Sequence, residues 1–193
     1  MPASSEPDIT PTEILHFWFG ADAVAPRDFW FSKSESVDAE IRSRFGAAVE
    51  EALVGSLDHW TATPEGTLAL ILLLDQFTRN IFRDTPRAFA GDAAALGHAR
   101  RLVQSGLDRR FDALQRWFVY LPFEHSERLE DQHESLRLFG ELERDGRPGP
   151  LEWAQKHFDV IRRFGRFPHR NEILGRASTP EEAEFLRQPG SRF

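Results

Sequence analysis

Cysteine is absent from the 193-residue chain, which excludes disulfides, thiolate zinc sites and cysteine nucleophiles together. Long apolar runs are scarce too. The longest, Leu68 to Leu74, falls far short of the ~20 residues a membrane helix needs. The opening MPASSEPDITPTE holds neither a basic stretch nor an apolar core of the kind a secretory signal carries, so none is expected. There is no P-loop, no Gly-x-Gly-x-x-Gly and no His-Glu-x-x-His, and nowhere do two alternating stretches flank a hairpin turn. Positive charge is in deficit: 24 basic against 31 acidic residues give −7, which disfavours nucleic acid as a partner of the whole surface. These absences lead to an expectation of no nucleic-acid or membrane partner, no cofactor and no metal, and a cytoplasmic setting is compatible with the missing cysteine.

What is present is an ordinary globular composition, 40% hydrophobic and 28% charged, at a length that suits one domain with a sizeable core. Residues 1 to 10 read as a mobile tail, and residues 11 to 193 as a single all-α domain of seven to nine helices. TPTEILHFWFG is a short helix capped by Thr10 or Thr12 and stopped by Gly20. From Val37 to Ala52, apolar residues recur at steps of three and four, with Ser36 as N-cap and Gly55 at C′. Thr63-Pro64-Glu65 starts a helix that is apolar on every face, which suits a helix surrounded by others. Asp92 caps the next helix, and Gly106 closes it. Asp108 or Asp112 opens another, which ends at Leu121 before Pro122. Ser126 caps a long helix, and Pro150 begins one bearing Trp153, His157 and Ile161. Thr179-Pro180-Glu181-Glu182 spells a capping box.

Asp75 closes the most apolar run. A carboxylate buried there needs a partner, and Arg79, four residues on, shares its face. The segment RRFGRFPHRNEILGR, Arg162 to Arg176, sets five arginines and a histidine among phenylalanines, with Pro168 ending the helix. Two readings stand side by side for these cations. In one, they cap helix carbonyls and lie on Phe164 and Phe167. In the other, their forks hold a carboxylate or phosphate. QFTRNIFRDTPRAF and RFPHRNEILGRASTPEEAEF share the order Phe, Arg-Asn, branched apolar residue, Arg, Thr-Pro, a faint internal echo. His125, Glu127, His157 and His169 have no diagnostic metal spacing, and Ser126 with His125 and Asp131 has no nucleophile elbow.

ILHFWFG, LALILLLDQFTRNIFR, YLPFEHSERLEDQ and RFGRFPHRNEILGR together resemble the bacterial family named domain of unknown function 924, over roughly Ile14 to Phe185. The resemblance implies an all-α, tetratricopeptide-repeat-like right-handed superhelix of stacked antiparallel helices, and a cytoplasmic setting. It carries the family's polar motifs onto Asp75, Gln76, Arg79 and Asn80, onto His125, Ser126, Glu127, Asp131 and Gln132, and onto His157, Arg166, His169, Arg170 and Asn171. Thr78 stands where the family usually has proline, and Glu124 where it often has methionine. Glu124 adds a negative charge near His125, which either weighs against an exposed anion site there or raises the pKa of His125.

The ligand-binding set is therefore Asp75, Arg79, Asn80, His125, Glu127, Gln132, His157, Arg166, His169, Arg170 and Asn171, with no catalytic residue assigned. Three functions compete. The first is a binding or scaffold module for a peptide or small anionic ligand. The second is an enzyme with histidine–carboxylate acid–base chemistry in an internal cleft. In the third, the polar motifs only lock helix ends. The binding idea fails if Arg79, Arg166 and Arg170 are each fully paired with internal carboxylates and no concave cationic surface remains. The state of association, a homodimer included, stays open.

Overall fold

In a computed structural model of the chain, residues 9–20, 25–147 and 149–191 are described. All regular structure among them is helical. The mobile tail expected over residues 1 to 10 lies mostly outside these residues, and the chain is anchored from Ile9, which packs half-buried against the core.

Helix α1 (Pro11–Phe19) begins with a capping box: the Thr10 hydroxyl accepts from Glu13 N, and Glu13 accepts from Thr10 N at 2.8 Å. Helix α2 (Glu35–Leu53) buries the apolar stripe Ile41, Phe45, Val49 and Ala52. Its N-cap is Ser34 rather than Ser36, because the Ser34 hydroxyl is the one that reaches Val37 N. Gly55 sits at C′ with φ +80°, and Ser56 N returns to Glu51 O in a Schellman closure.

Helix α3 (Pro64–Ile71) is buried on all sides from Gly66 onward, as its composition requires. It does not simply continue. Leu72–Phe77 forms a π-helical turn before α4 (Thr78–Ile81). The Thr78 hydroxyl donates to Leu74 O at 2.8 Å, and Gly91 lies against the same carbonyl. A Cβ at residue 91 would stand 2.2 Å from Leu74 O, so only glycine fits there. That approach brings the start of α5 (Asp92–Gln104) onto the π turn. Asp92 is consequently the first helical residue and not a cap; Gly91 holds the cap position and the Asp92 carboxylate is used elsewhere.

Helix α6 (Ala113–Glu124) is capped by Asp112 in a second capping box with Gln115. It runs past Leu121 and keeps Pro122 inside, which carries Glu124 into the interior. Helix α7 (Leu129–Arg144) starts after Arg128. Ser126 is not its cap: its hydroxyl donates to Asp131 and accepts from Arg128 N. Helix α8 (Pro150–Phe164) buries His157 and Ile161 but leaves Trp153 half-exposed under Lys156. A short 3₁₀ turn, Pro168–Arg170, and α9 (Pro180–Phe185) complete the chain.

Helices α5, α6, α7 and α8 pack in sequence order, while α1 and α5 both lie on α3. Aromatic rings fill the joint between α1, α2 and α6. Trp18 meets Phe77 at 5.4 Å and Phe118 at 5.5 Å, edge-on in the second case, and Phe45 meets Phe77 at 5.3 Å. The Trp30 indole donates to Trp18 O, fastening the segment after α1 to that core. A smaller apolar cluster of Val160, Ile161 and Phe167 seats the C-terminal part. No helix among the described residues is long and apolar enough to cross a membrane.

Candidate functional site

The π turn sets the geometry of a buried polar cluster. An i→i+5 turn inside an α-helix shifts the residues that follow it around the axis. Here it places Asp75 and Gln76 in the interior, where Asp75 is fully buried. The Asp75 carboxylate accepts from two side chains, His125 Nδ1 at 2.7 Å and Gln76 Nε2 at 2.6 Å, and stands 3.3 Å from the Arg79 guanidinium. Burial alone would favour the neutral acid. The Arg79 guanidinium and the His125 contact overcome it and hold the carboxyl well below the usual carboxylate range. Asp75 is thus an anion inside the protein.

Arg79 ties this anion to a second one. Its guanidinium also caps Asp75 O at 2.6 Å and forks onto both Asp92 oxygens at 2.8 and 3.1 Å. Asp92 in turn receives Arg170, more weakly, at 3.3 Å. The two Arg-Asn sequence echoes therefore converge on one carboxylate, delivered by Gly91. Arg170 is sandwiched between Phe89 and Phe167, 4.7 and 4.6 Å from the ring centres. Burial and the neighbouring Arg79 push its pKa down to about 10, and its Nε is buried with no hydrogen-bond partner.

The histidines face the same cluster. Burial holds His125 below its ordinary pKa, with Arg79 acting in the same sense and Asp75 opposing. The imidazole is neutral at pH 7, with its proton on Nδ1 because Asp75 fixes it there. Nε2 then carries the lone pair. His157 stands 6.3 Å away between ring centres. Its Nδ1–H donates to Trp153 O at 2.9 Å and lies 3.2 Å from Glu124 Oε1, and burial pushes its pKa down to about 3. Glu124 is buried beside Asp75, and these two facts, in that order of weight, push it up to about 8. The expectation that Glu124 acts on His125 is corrected: its carboxyl touches His157, it is neutral at pH 7, and His125 is lowered rather than raised.

Five of the expected residues share this locus: Asp75, Arg79, His125, His157 and Arg170. Others buttress it. Glu127 accepts from Phe167 N at 2.8 Å and forks with Arg176 at 2.7 and 2.9 Å, which positions the strip before Arg170. Gln132 donates to the carbonyls of Glu124 and Ser126, each at 2.7 Å, and fixes the end of α6. The His169 ring lies 5.6 Å from that of Phe167. The remaining three lie elsewhere. Asn80 donates to Asp38, which also pairs with Arg83. Arg166 and Asn171 both bond Glu182 at the start of α9. Asp92, Glu124 and Phe89 were absent from the expected set. Asp92 read as a cap, and no pattern in the sequence distinguishes a carboxyl buried at the end of a proline-containing helix.

Among the described residues no group of histidines and carboxylates is arranged to hold a metal ion. Surface hollows lie between Thr63 and Arg101 and beside Arg109 and Asp145, away from the cluster.

No curated protein matches the chain. A solved structure of a protein of unknown function, ATU0120 from Agrobacterium tumefaciens, is similar to it with a TM-score of 0.83 and 39% identity, covering 92% of this chain and 96% of that one. The family model described as a bacterial protein of unknown function, DUF924, matches residues 14–190. On that match over nearly its whole length, the chain belongs to the bacterial family of domain of unknown function 924.

Proposed function

We propose that the protein binds a small oxyanion-bearing molecule at the Asp75 cluster, with His125 as the proton acceptor of the site. The observation that carries this reading is the pairing of a buried anion with a neutral histidine. Asp75 holds His125 Nδ1 at 2.7 Å and fixes the tautomer that leaves Nε2 basic. Arg170 is the anion anchor, because it alone among Arg79, Arg166 and Arg170 keeps a buried N–H without a partner. Arg79 is taken up by Asp75 and Asp92, and Arg166 by Glu182 and Ala177 O, which weighs against an open cationic groove for a peptide. Ligand size is limited for the same reason. The Arg79 and His125 side chains are 21% and 14% exposed, and a small molecule would enter at that rim.

Acid–base catalysis on the bound molecule is the second reading, favoured by two histidines 6.3 Å apart that share the locus with two carboxyls. Sequential packing of α5 to α8 is consistent with a tetratricopeptide-like stack, and that superhelix, a cytoplasmic setting and a peptide or dimer partner at the outer helices belong with the proposal.

The test is a thermal-shift series with acetate, malonate, sulfate and phosphate. Saturating ligand at ~100 times its Kd stabilises the folded form by ~2.7 kcal/mol and raises the melting temperature. The rise should vanish in Arg170→Ala and persist in Arg166→Ala. Equal rises in wild type and both variants would remove Arg170 from the site, and no rise with any of the four anions would remove the site.

A further inference from the structure

We infer that Glu124 is the hydrogen-bond donor of this site, offering the proton on its buried carboxyl to an oxygen of the anion held by Arg170. The inference rests on the small-oxyanion reading above and assigns the residue that selects an oxygen acceptor. Glu124 is 4% exposed. Gln132 holds the Glu124 main-chain carbonyl, so the end of α6 is fixed rather than loose. One carboxyl oxygen, Oε1, lies 3.2 Å from His157 Nδ1, whose N–H donates to Trp153 O. The other, Oε2, is buried and has no hydrogen-bond partner.

The groups around Glu124 explain why the acid keeps its proton. Asp75 faces it from the π turn as an anion, and His157 from α8 as a neutral ring. His125, next in the chain, is neutral and committed to Asp75. Arg79 and Arg170 give their charge to Asp75 and Asp92, and the His169 ring, 5.6 Å from that of Phe167, acts on His157. Among the described residues no arginine or lysine bonds the Glu124 carboxyl. A carboxylic acid whose O–H finds no acceptor in the interior loses its hydration without compensation. An entering ligand oxygen supplies the acceptor. The site then holds two carboxyls in opposite protonation states, Asp75 accepting from His125 and Glu124 donating to the ligand, which is how acid and base roles separate in one pocket. A small carboxylate or sulfate-like anion meets both demands, one oxygen or oxygen pair on Arg170 and another accepting from Glu124. Halides offer no such division.

Calorimetric titration with sulfate, whose charge is fixed across the neutral range, tests the assignment in wild type, Glu124→Gln, Glu124→Met and Arg170→Ala, each checked for native helicity. Wild type should bind sulfate with an affinity that falls about tenfold per pH unit above the Glu124 titration near 8. Glu124→Gln keeps a donor and should bind with no such step. Glu124→Met should bind about tenfold or more weakly below that pH, also with no step. Glu124→Met binding as tightly as wild type, with the same pH step, overturns the Glu124 assignment. If Arg170→Ala at the same time loses sulfate, the anion site itself survives. Absence of sulfate binding in wild type sinks both.

Discussion

Two arginine–carboxylate knots in this protein use the same residue types and end differently. At the start of α9, Glu182 accepts from Arg166 Nε at 2.6 Å and Nη2 at 2.7 Å, from Thr179 N at 2.7 Å and from Asn171 at 3.3 Å. Its carboxylate is saturated, and these bonds hold its pKa down to about 2. Only the Asn171 amide oxygen is left over. The Asp75 knot is built around a charged centre too, yet it keeps both an acceptorless acid, Glu124, and a guanidinium N–H without a partner on Arg170. The first knot closes a helix end. The second is paired at its centre and keeps those two polar groups without a partner at its edge. On the proposed function, the partnerless Glu124 and Arg170 groups set the Asp75 knot apart from the Glu182 knot, where residue type does not.

Breaking the centre of the second knot should have the largest effect. Asp75→Asn removes the anion that pairs Arg79 and orients His125, and should cost about 3–5 kcal/mol in denaturant unfolding, because a buried guanidinium is left short of a partner. Next comes a gain. Glu124 has a folded pKa of about 8 against an ordinary value of 4.5, so the folded chain holds a proton that the unfolded chain releases. Stability is therefore lost as pH rises from 4.5 to about 8 and is level above that. Glu124→Gln should remove the loss, giving an advantage over wild type that grows across that window to roughly 4 kcal/mol. A variant that is no more stable at pH 8 than wild type would contradict the neutral buried acid.

The junction that assembles the knot gives a third prediction. Gly91→Ala forces a Cβ to within 2.2 Å of Leu74 O and should cost about 2–3 kcal/mol. It should also lower sulfate affinity, since Asp92 and Arg170 move with residue 91. The smallest effect belongs to the saturated knot. Glu182→Gln should cost about 2 kcal/mol through lost charge-assisted bonds and leave anion binding unchanged. Because the folded pKa of Glu182 is depressed, its contribution is fully present above 4.5 and lost as pH falls toward 2. A Glu182 variant with impaired sulfate binding would erase the contrast between the knots.

Most of the fold was legible because helix starts carry their chemistry locally. Thr63-Pro64-Glu65, Thr179-Pro180-Glu181-Glu182 and Gly55 act within one turn of themselves, and the structure uses each as read. The failures are tertiary. Pro122 reads as a stop, yet the packed end of α6 tolerates it and so buries Glu124. Asp92 and Ser126 have the composition of caps, but a carboxylate and a serine near charged partners have better bonds to make, with Arg79 and Asp131. The π turn has no compositional signature in LLLDQF; it is recognised by what approaches it, Gly91 against Leu74 O. Asp75, Arg79, His125 and Arg170 were legible as candidates through their residue types and family motifs. Which of the expected set actually met could not be read, since Asn80 and Asn171 follow the same Arg-Asn pattern and bond elsewhere.

The central claim, that Asp75 presents a neutral His125 to a small anion, is tested most directly by nitrogen-resolved NMR of the imidazoles during a malonate titration at neutral pH. The account predicts a His125 ring protonated on Nδ1 alone, an Nε2 signal that moves to saturation with malonate, and loss of that tautomer in Asp75→Asn. A doubly protonated His125 at neutral pH, or an Nε2 signal unmoved by malonate in a protein that otherwise binds it, would contradict the account.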